Sequence, residues 1–301
     1  MKILGSYKNN DYTCTMFSDG TKIRWNDKDS FNPVKPESID LKITNKCNMA
    51  CNMCHENSTP DGEHGDILNL PFIDTMFPYS EVAIGGGNPL THPDLIEFLE
   101  RLKEHKIIAS MTVNQMHFMQ NIDLLKELTD NKLIYGLGIS YIGGRHSNCI
   151  EAIKQFPNAV IHVINGIVHM DSLEALANND LKILVLGYKE FRRGKALYDE
   201  CGREIDSLKY QFYDLLPKIV NDGWFKCISF DNLAIKQLEP KRLMSEKDYK
   251  EFYMGDDGAF TCYVDAVNRQ FAKSSVSTER YDLMDDIADM FKVIKDGVNG
   301  K

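Results

Sequence analysis

The chain has 301 residues, 43% of them apolar and 26% charged, with a formal net charge of −9 and eight cysteines. That length can bury one large domain, or one large and one small. The acidic average field repels a phosphate backbone, so nucleic acid is not an expected partner, and no apolar run reaches the roughly eighteen residues of a membrane span.

MKILGSYKNN runs into polar residues where a secretory h-region would stand, so a cytoplasmic chain is expected. Residues 1–37 are predicted to be a β-rich lead-in, a short hairpin with its turn at Asp19-Gly20. Short apolar or β-branched runs then recur at 39–44, 82–84, 107–113, 134–140, 160–164 and 181–186. Between them, segments 92–105, 120–129, 146–156 and 171–178 carry helical periodicity. Strand and helix alternating in this way imply parallel pairing with right-handed crossovers. The expected fold is α/β, a partial (β/α)6 barrel of parallel strands over 38–191. From 192 the rhythm is lost. Helical stretches at 206–220, 245–254 and 281–294, with strand-like pieces at 226–230, 259–264 and 269–271, predict a small α+β C-terminal domain over 192–301.

Three of the eight cysteines, Cys47, Cys51 and Cys54, fall in a polar loop directly after the first barrel strand. In a barrel of parallel strands, that end collects reactive groups. A cubane [4Fe–4S] cluster takes four thiolates, so a loop offering three leaves one iron open to an outside ligand. Two alternatives use the same residues. His55 could complete a Cys3His zinc site in a binding protein, or close the cluster of an electron-carrying module. After the second strand, Gly85-Gly86-Gly87-Asn88-Pro89 allows a ligand close to the backbone, or simply makes a turn.

The CxxxCxxC spacing, with apolar Met53 just before the third cysteine, resembles the signature of the radical S-adenosylmethionine (radical SAM) enzymes. The stretch Gly85 to Leu95 resembles that family's Gly-Gly-Glu-Pro loop and following helix start, with Asn88 where the acid usually stands. The resemblance implies a [4Fe–4S] cluster on Cys47, Cys51 and Cys54, and S-adenosylmethionine chelating its open iron. Reductive cleavage to a 5′-deoxyadenosyl radical would then abstract hydrogen from a small-molecule, peptide or protein substrate. It implies an external reductant such as a flavodoxin or ferredoxin. It places Met53 against adenine, Gly86, Gly87 and Asn88 at the methionine ammonium group, and Ser140 at the ribose. Asn165 and Asn114 stand at comparable strand exits, and Leu186 with Gly187 offers backbone contacts to adenine.

Outside this pattern, Cys201, Cys227 and Cys262 loosely resemble the ligands of a shortened auxiliary-cluster domain, although none forms a CxxC pair, and buried free thiols explain them as well. In the polar loop 56–66, Glu56, Glu63, His64 and Asp66 are candidates for substrate contacts, which a solvated surface loop explains equally well, and the basic stretch 192–195 is expected to be a solvated face rather than a carboxylate or phosphate site. Residues 1–37 leave no room for a leader-peptide-binding domain, which counts against long precursor peptides as substrates.

Overall fold

The computed structural model describes residues 1–144 and 146–299. Three N-terminal strands, β1 (Ile3–Asn9), β2 (Tyr12–Phe17) and β3 (Lys22–Trp25), form an antiparallel sheet. The expected hairpin at Asp19-Gly20 joins β2 to β3, and a second turn at Asn10, which adopts φ +59°, adds β1. Glu37 anchors this sheet beneath the rest of the molecule. Its fully buried carboxylate takes Arg24 at 2.8 Å, Lys22 at 3.4 Å and the Tyr12 hydroxyl at 2.6 Å.

The main sheet holds β4 (Ser38–Thr44), β5 (Glu81–Gly86), β6 (Ile108–Asn114), β7 (Gly136–Ser140), β8 (Ala159–Ile164), β9 (Lys182–Leu186), β10 (Cys227–Phe230), β11 (Thr261–Asp265), β12 (Gln270–Ala272) and β13 (Tyr281–Asp282). Its order is β10-β9-β8-β7-β6-β5-β4-β11-β12-β13, parallel from β10 to β11 and antiparallel through β12 and β13. The six predicted barrel strands are β4 to β9. The strands expected for the C-terminal part join the same sheet, β10 beside β9 and β11 beside β4.

Each parallel strand alternates. Ile39, Leu41 and Ile43 of β4 lie in the hydrophobic core with Leu95, Phe98, Leu99 and Leu102 of the helix Leu95–Glu104. Those helix positions recur at i, i+3, i+4 and i+7, so one face is buried, contributing about 1.5–3 kcal/mol per large side chain. The other face of β4 presents Ser38, Asp40, Lys42 and Thr44. The opposite face of the sheet is therefore polar or small, with Ser110, Thr112, Gly136, Gly138 and Ser140 on β6 and β7. A flat sheet would hold β4 and β10 about 29 Å apart. Yet Asn232, just past β10, donates to Asp257, just ahead of β11, the strand beside β4, at 2.7 Å. The sheet therefore curls into an open barrel around this polar lumen.

The helix predicted at 206–220 starts earlier, as Arg193–Asn221, kinked at Cys201. The last helix, Ile287–Asn299, buries Ile287, Met290, Phe291 and Ile294. Among the described residues, no helix is long and apolar enough to cross a membrane.

Candidate active site at the barrel mouth

Beyond Thr44 the chain leaves β4 and returns through two isolated bridges, Lys46 with Thr59 and Thr44 with His64. The base of this excursion is stapled by Cys47 N–H to Thr59 O (2.8 Å), Thr59 N–H to Asn45 O (3.0 Å) and Asn45 N–H to Glu63 O (2.8 Å). At its tip, Cys54 N–H reaches Cys51 O at 3.2 Å and Ala50 takes φ +48°. Cys47, Cys51 and Cys54 are all half-buried and free of disulfides. They sit together: burial raises the Cys51 thiol above its ordinary value, and the neighbouring Cys54 and Cys47 raise it further. Among the described residues, no three His, Cys, Asp or Glu side chains converge on a point where a single ion would sit. A cube takes each thiolate on a different iron and so holds them farther apart than one tetrahedral ion does. Three neighbouring, unpaired thiols fit that group.

The glycine loop is zipped onto this excursion. Gly87 N–H donates to Thr44 O and Asn88 N–H to Lys46 O, both at 2.7 Å. Gly86 holds φ +111°, and a Cβ on Gly87 would come well inside 3.0 Å of the Lys46 carbonyl, so a side chain is excluded there. Asn88 is buried and caps the short turn Pro89–Thr91, its Oδ1 accepting Leu90 N–H at 3.3 Å. The oxygen expected at the ammonium group is thus also the cap of the next element.

The remaining strand ends face the same mouth. Ser140 is half-buried, in register between Asn114 of β6 and His162 of β8. Asn114 caps the helix Gln115–Gln120, its Oδ1 accepting Met116 N–H at 2.9 Å. Asn165 is fully buried. Its amide donates to Gln237 Oε1 at 3.0 Å and its N–H to Leu186 O at 2.8 Å, while its Oδ1 has no protein partner. Leu186 and Met53 are half-buried, and the Met53 carbonyl lies against Gly194.

Residues 41–142, which span the three cysteines, the glycine loop and Ser140, match the sequence profile of the Radical SAM superfamily. Over this stretch the chain is similar to a radical SAM domain. That superfamily uses a [4Fe–4S] cluster and S-adenosylmethionine. Among curated proteins, a "Probable GTP 3′,8-cyclase" of Methanocaldococcus jannaschii is 31% identical over 140 residues, covering 43% of this chain and 44% of that protein. A protein of the same name from Methanococcus maripaludis is 32% identical over 97 residues, 30% of this chain and 32% of that protein. The match therefore spans less than half the length of these relatives. Among solved structures, Streptococcus suis SuiB bound to precursor peptide SuiA superposes with TM-score 0.59 at 15% identity, covering 90% of this chain and 68% of that one. SuiB bound to S-adenosylmethionine gives 0.58 at 14% identity, covering 89% and 69%.

The cysteine loop is held by charged residues that the sequence does not mark as a group. Glu56 is buried, with Lys42 at 3.2 Å, His55 at 3.3 Å and Arg192 at 3.6 Å. Lys42 also meets Asp265 at 2.9 Å, and the Tyr263 hydroxyl donates to Glu56. Burial opposes ionisation of Glu56, yet His55 and Lys42 hold its carboxyl down at about 2. Burial and the adjacent Lys189 keep His55 below its ordinary value. The stretch 192–195, expected to be solvated, instead clamps the loop: Arg192 Nη1 donates to Glu56 O at 2.9 Å and Arg193 Nη2 to Ser58 O at 2.7 Å. The available signal was Lys42 and Asp265, charges at strand positions flanked by apolar neighbours.

Proposed function

We propose that the chain is a cytoplasmic radical SAM enzyme in which Cys47, Cys51 and Cys54 hold a [4Fe–4S] cluster and S-adenosylmethionine lies across the ends of β5 to β9. When bound, these cofactors supply reductive carbon–sulfur cleavage to methionine and a 5′-deoxyadenosyl radical that abstracts hydrogen from substrate. The observation that carries the reading is the grouping of three unpaired thiols against a glycine loop at the mouth of a parallel barrel. Gly86, Gly87 and Asn88 would receive the methionine ammonium group, chiefly through backbone carbonyls, because the Gly87 and Asn88 N–H groups are already donated to Thr44 and Lys46. Met53 and Leu186 would flank adenine, and Ser140 with the unpartnered Oδ1 of Asn165 would take ribose or adenine donors.

A flavodoxin or ferredoxin would supply the electron. The substrate is a small molecule, peptide or protein side chain. The likeness to SuiB, solved with a precursor peptide, supports keeping peptides in this set. The test is anaerobic reconstitution with iron and sulfide, then dithionite and S-adenosylmethionine, with 5′-deoxyadenosine and methionine read by mass spectrometry. Both products are expected in equal amount. A chain that holds no iron when purified without air, or that holds it and cleaves nothing, overturns the reading.

A further inference from the structure

The segment from Cys47 to Ser58 contains no helix or strand, and its own backbone bonds are few: Cys54 N–H to Cys51 O and Asn57 N–H to Cys54 O, at 3.2 and 3.3 Å. Its sequence, CNMACNMCHENS, offers little apolar surface to bury. A polar loop of this kind is ordered only by what grips it. The grip is concentrated two residues past Cys54, at Glu56.

Each carboxylate oxygen of Glu56 is engaged. Oε1 accepts the Tyr263 hydroxyl at 3.1 Å and lies 3.3 Å from His55 Nε2. Oε2 lies 3.2 Å from Lys42 Nζ and 3.6 Å from Arg192 Nη1. Lys42 is 2% exposed and Glu56 7%, so neither charge is sustained by solvent. With Asp265 on the far side of Lys42, two cations meet two anions, and the knot is neutral only as a whole. Its members come from β4, the cysteine loop, the segment after β9, and β11. Three of the five, Arg192, Tyr263 and Asp265, lie outside the stretch that matches the family profile.

We propose that Glu56 is the positioning residue of the cysteine loop. Its carboxylate, held by Lys42, Tyr263 and Arg192, fixes the loop in a cluster-ready conformation before any metal arrives. The segments beyond β9 thereby become part of cofactor assembly. This rests on the radical SAM reading for its meaning, but the order of the loop is measurable without iron.

The experiment is hydrogen–deuterium exchange on the full-length, metal-free chain. In Glu56→Gln, amides of residues 47–59 exchange about tenfold faster or more, while the helix Leu95–Glu104 exchanges as in the parent chain. Tyr263→Phe, which removes one donor and keeps the ring, gives a smaller acceleration in the same segment. After reconstitution, the EPR g values of the reduced cluster shift in Glu56→Gln, a signature that general loss of stability does not produce. Unchanged exchange over 47–59 in both variants overturns the proposal, as does acceleration spread evenly over the barrel. Should Glu56→Gln fail to fold, Tyr263→Phe decides alone. A parent chain that binds no iron defeats the radical SAM reading and leaves the exchange result standing.

Discussion

Gly87 donates its backbone N–H to the Thr44 carbonyl at 2.7 Å, tying the glycine loop to the last residue of the strand that launches the cysteines. The backbone of Lys46 stands where a Gly87 side chain would begin. Gly87→Ala must push the two loops apart. Urea unfolding should show a loss of about 1–3 kcal/mol, and reconstituted iron should fall with it. An alanine variant with parental stability and full iron would mean that the two loops are not packed as described.

Single replacement of Cys47, Cys51 or Cys54 by alanine should abolish iron retention after anaerobic reconstitution and leave far-UV circular dichroism unchanged. Cys201 lies at the kink of the long helix, Cys227 is exposed on β10, and Cys262 is fully buried, its thiol pushed up by burial. Cys201→Ala and Cys227→Ala should therefore keep the parental iron content. A drop of about half in either would point to a second cluster.

His162 lies over Gly138 beside the Thr112 hydroxyl, and burial pushes its imidazole down to about 4. A folded-state value below the unfolded one means that the unfolded chain takes the proton first. The resulting stability is complete above about pH 6.5 and is lost as pH falls toward 4, by at most roughly 3 kcal/mol before solvent screening. Urea midpoints at pH 7 and pH 4.5 should converge in His162→Gln relative to the parent chain. Equal pH slopes in the two proteins would show that His162 is not the titrating group.

Glu37 has no solvent and three partners, Arg24, Lys22 and the Tyr12 hydroxyl. Glu37→Gln leaves buried cations short of their counter-charge, at a cost of about 3–5 kcal/mol. The loss should appear first in β1 to β3, as early proteolytic cleavage ahead of Ser38. Uniform protection of that sheet in the variant would contradict the anchoring role.

The barrel strands were legible because each parallel strand buries one face on helices and leaves the other polar, so alternation marks both the strand and its orientation. β10 and β11 were legible as strands but not as members of the main sheet. The pairing of Thr261 with Ser38 joins residues more than two hundred positions apart, and no local pattern records it. The cysteine loop was legible for the opposite reason, since Cys47, Cys51 and Cys54 fall within eight consecutive positions. The charged knot was not, because Lys42, Glu56, Arg192, Tyr263 and Asp265 become neighbours only once the sheet has curled. Arg192 and Arg193 read as solvated for the same reason: a carbonyl acceptor across the barrel mouth leaves no mark in the primary structure.

β11 lies beside β4, the first barrel strand, although it follows β4 in the chain by more than two hundred residues. A nascent chain that has cleared the ribosome only as far as residue 250 carries all three cysteines but neither Tyr263 nor Asp265 to set them. On the proposed reading, the cradle for the three thiols is therefore finished only once a strand made more than two hundred residues after β4 has been laid beside it.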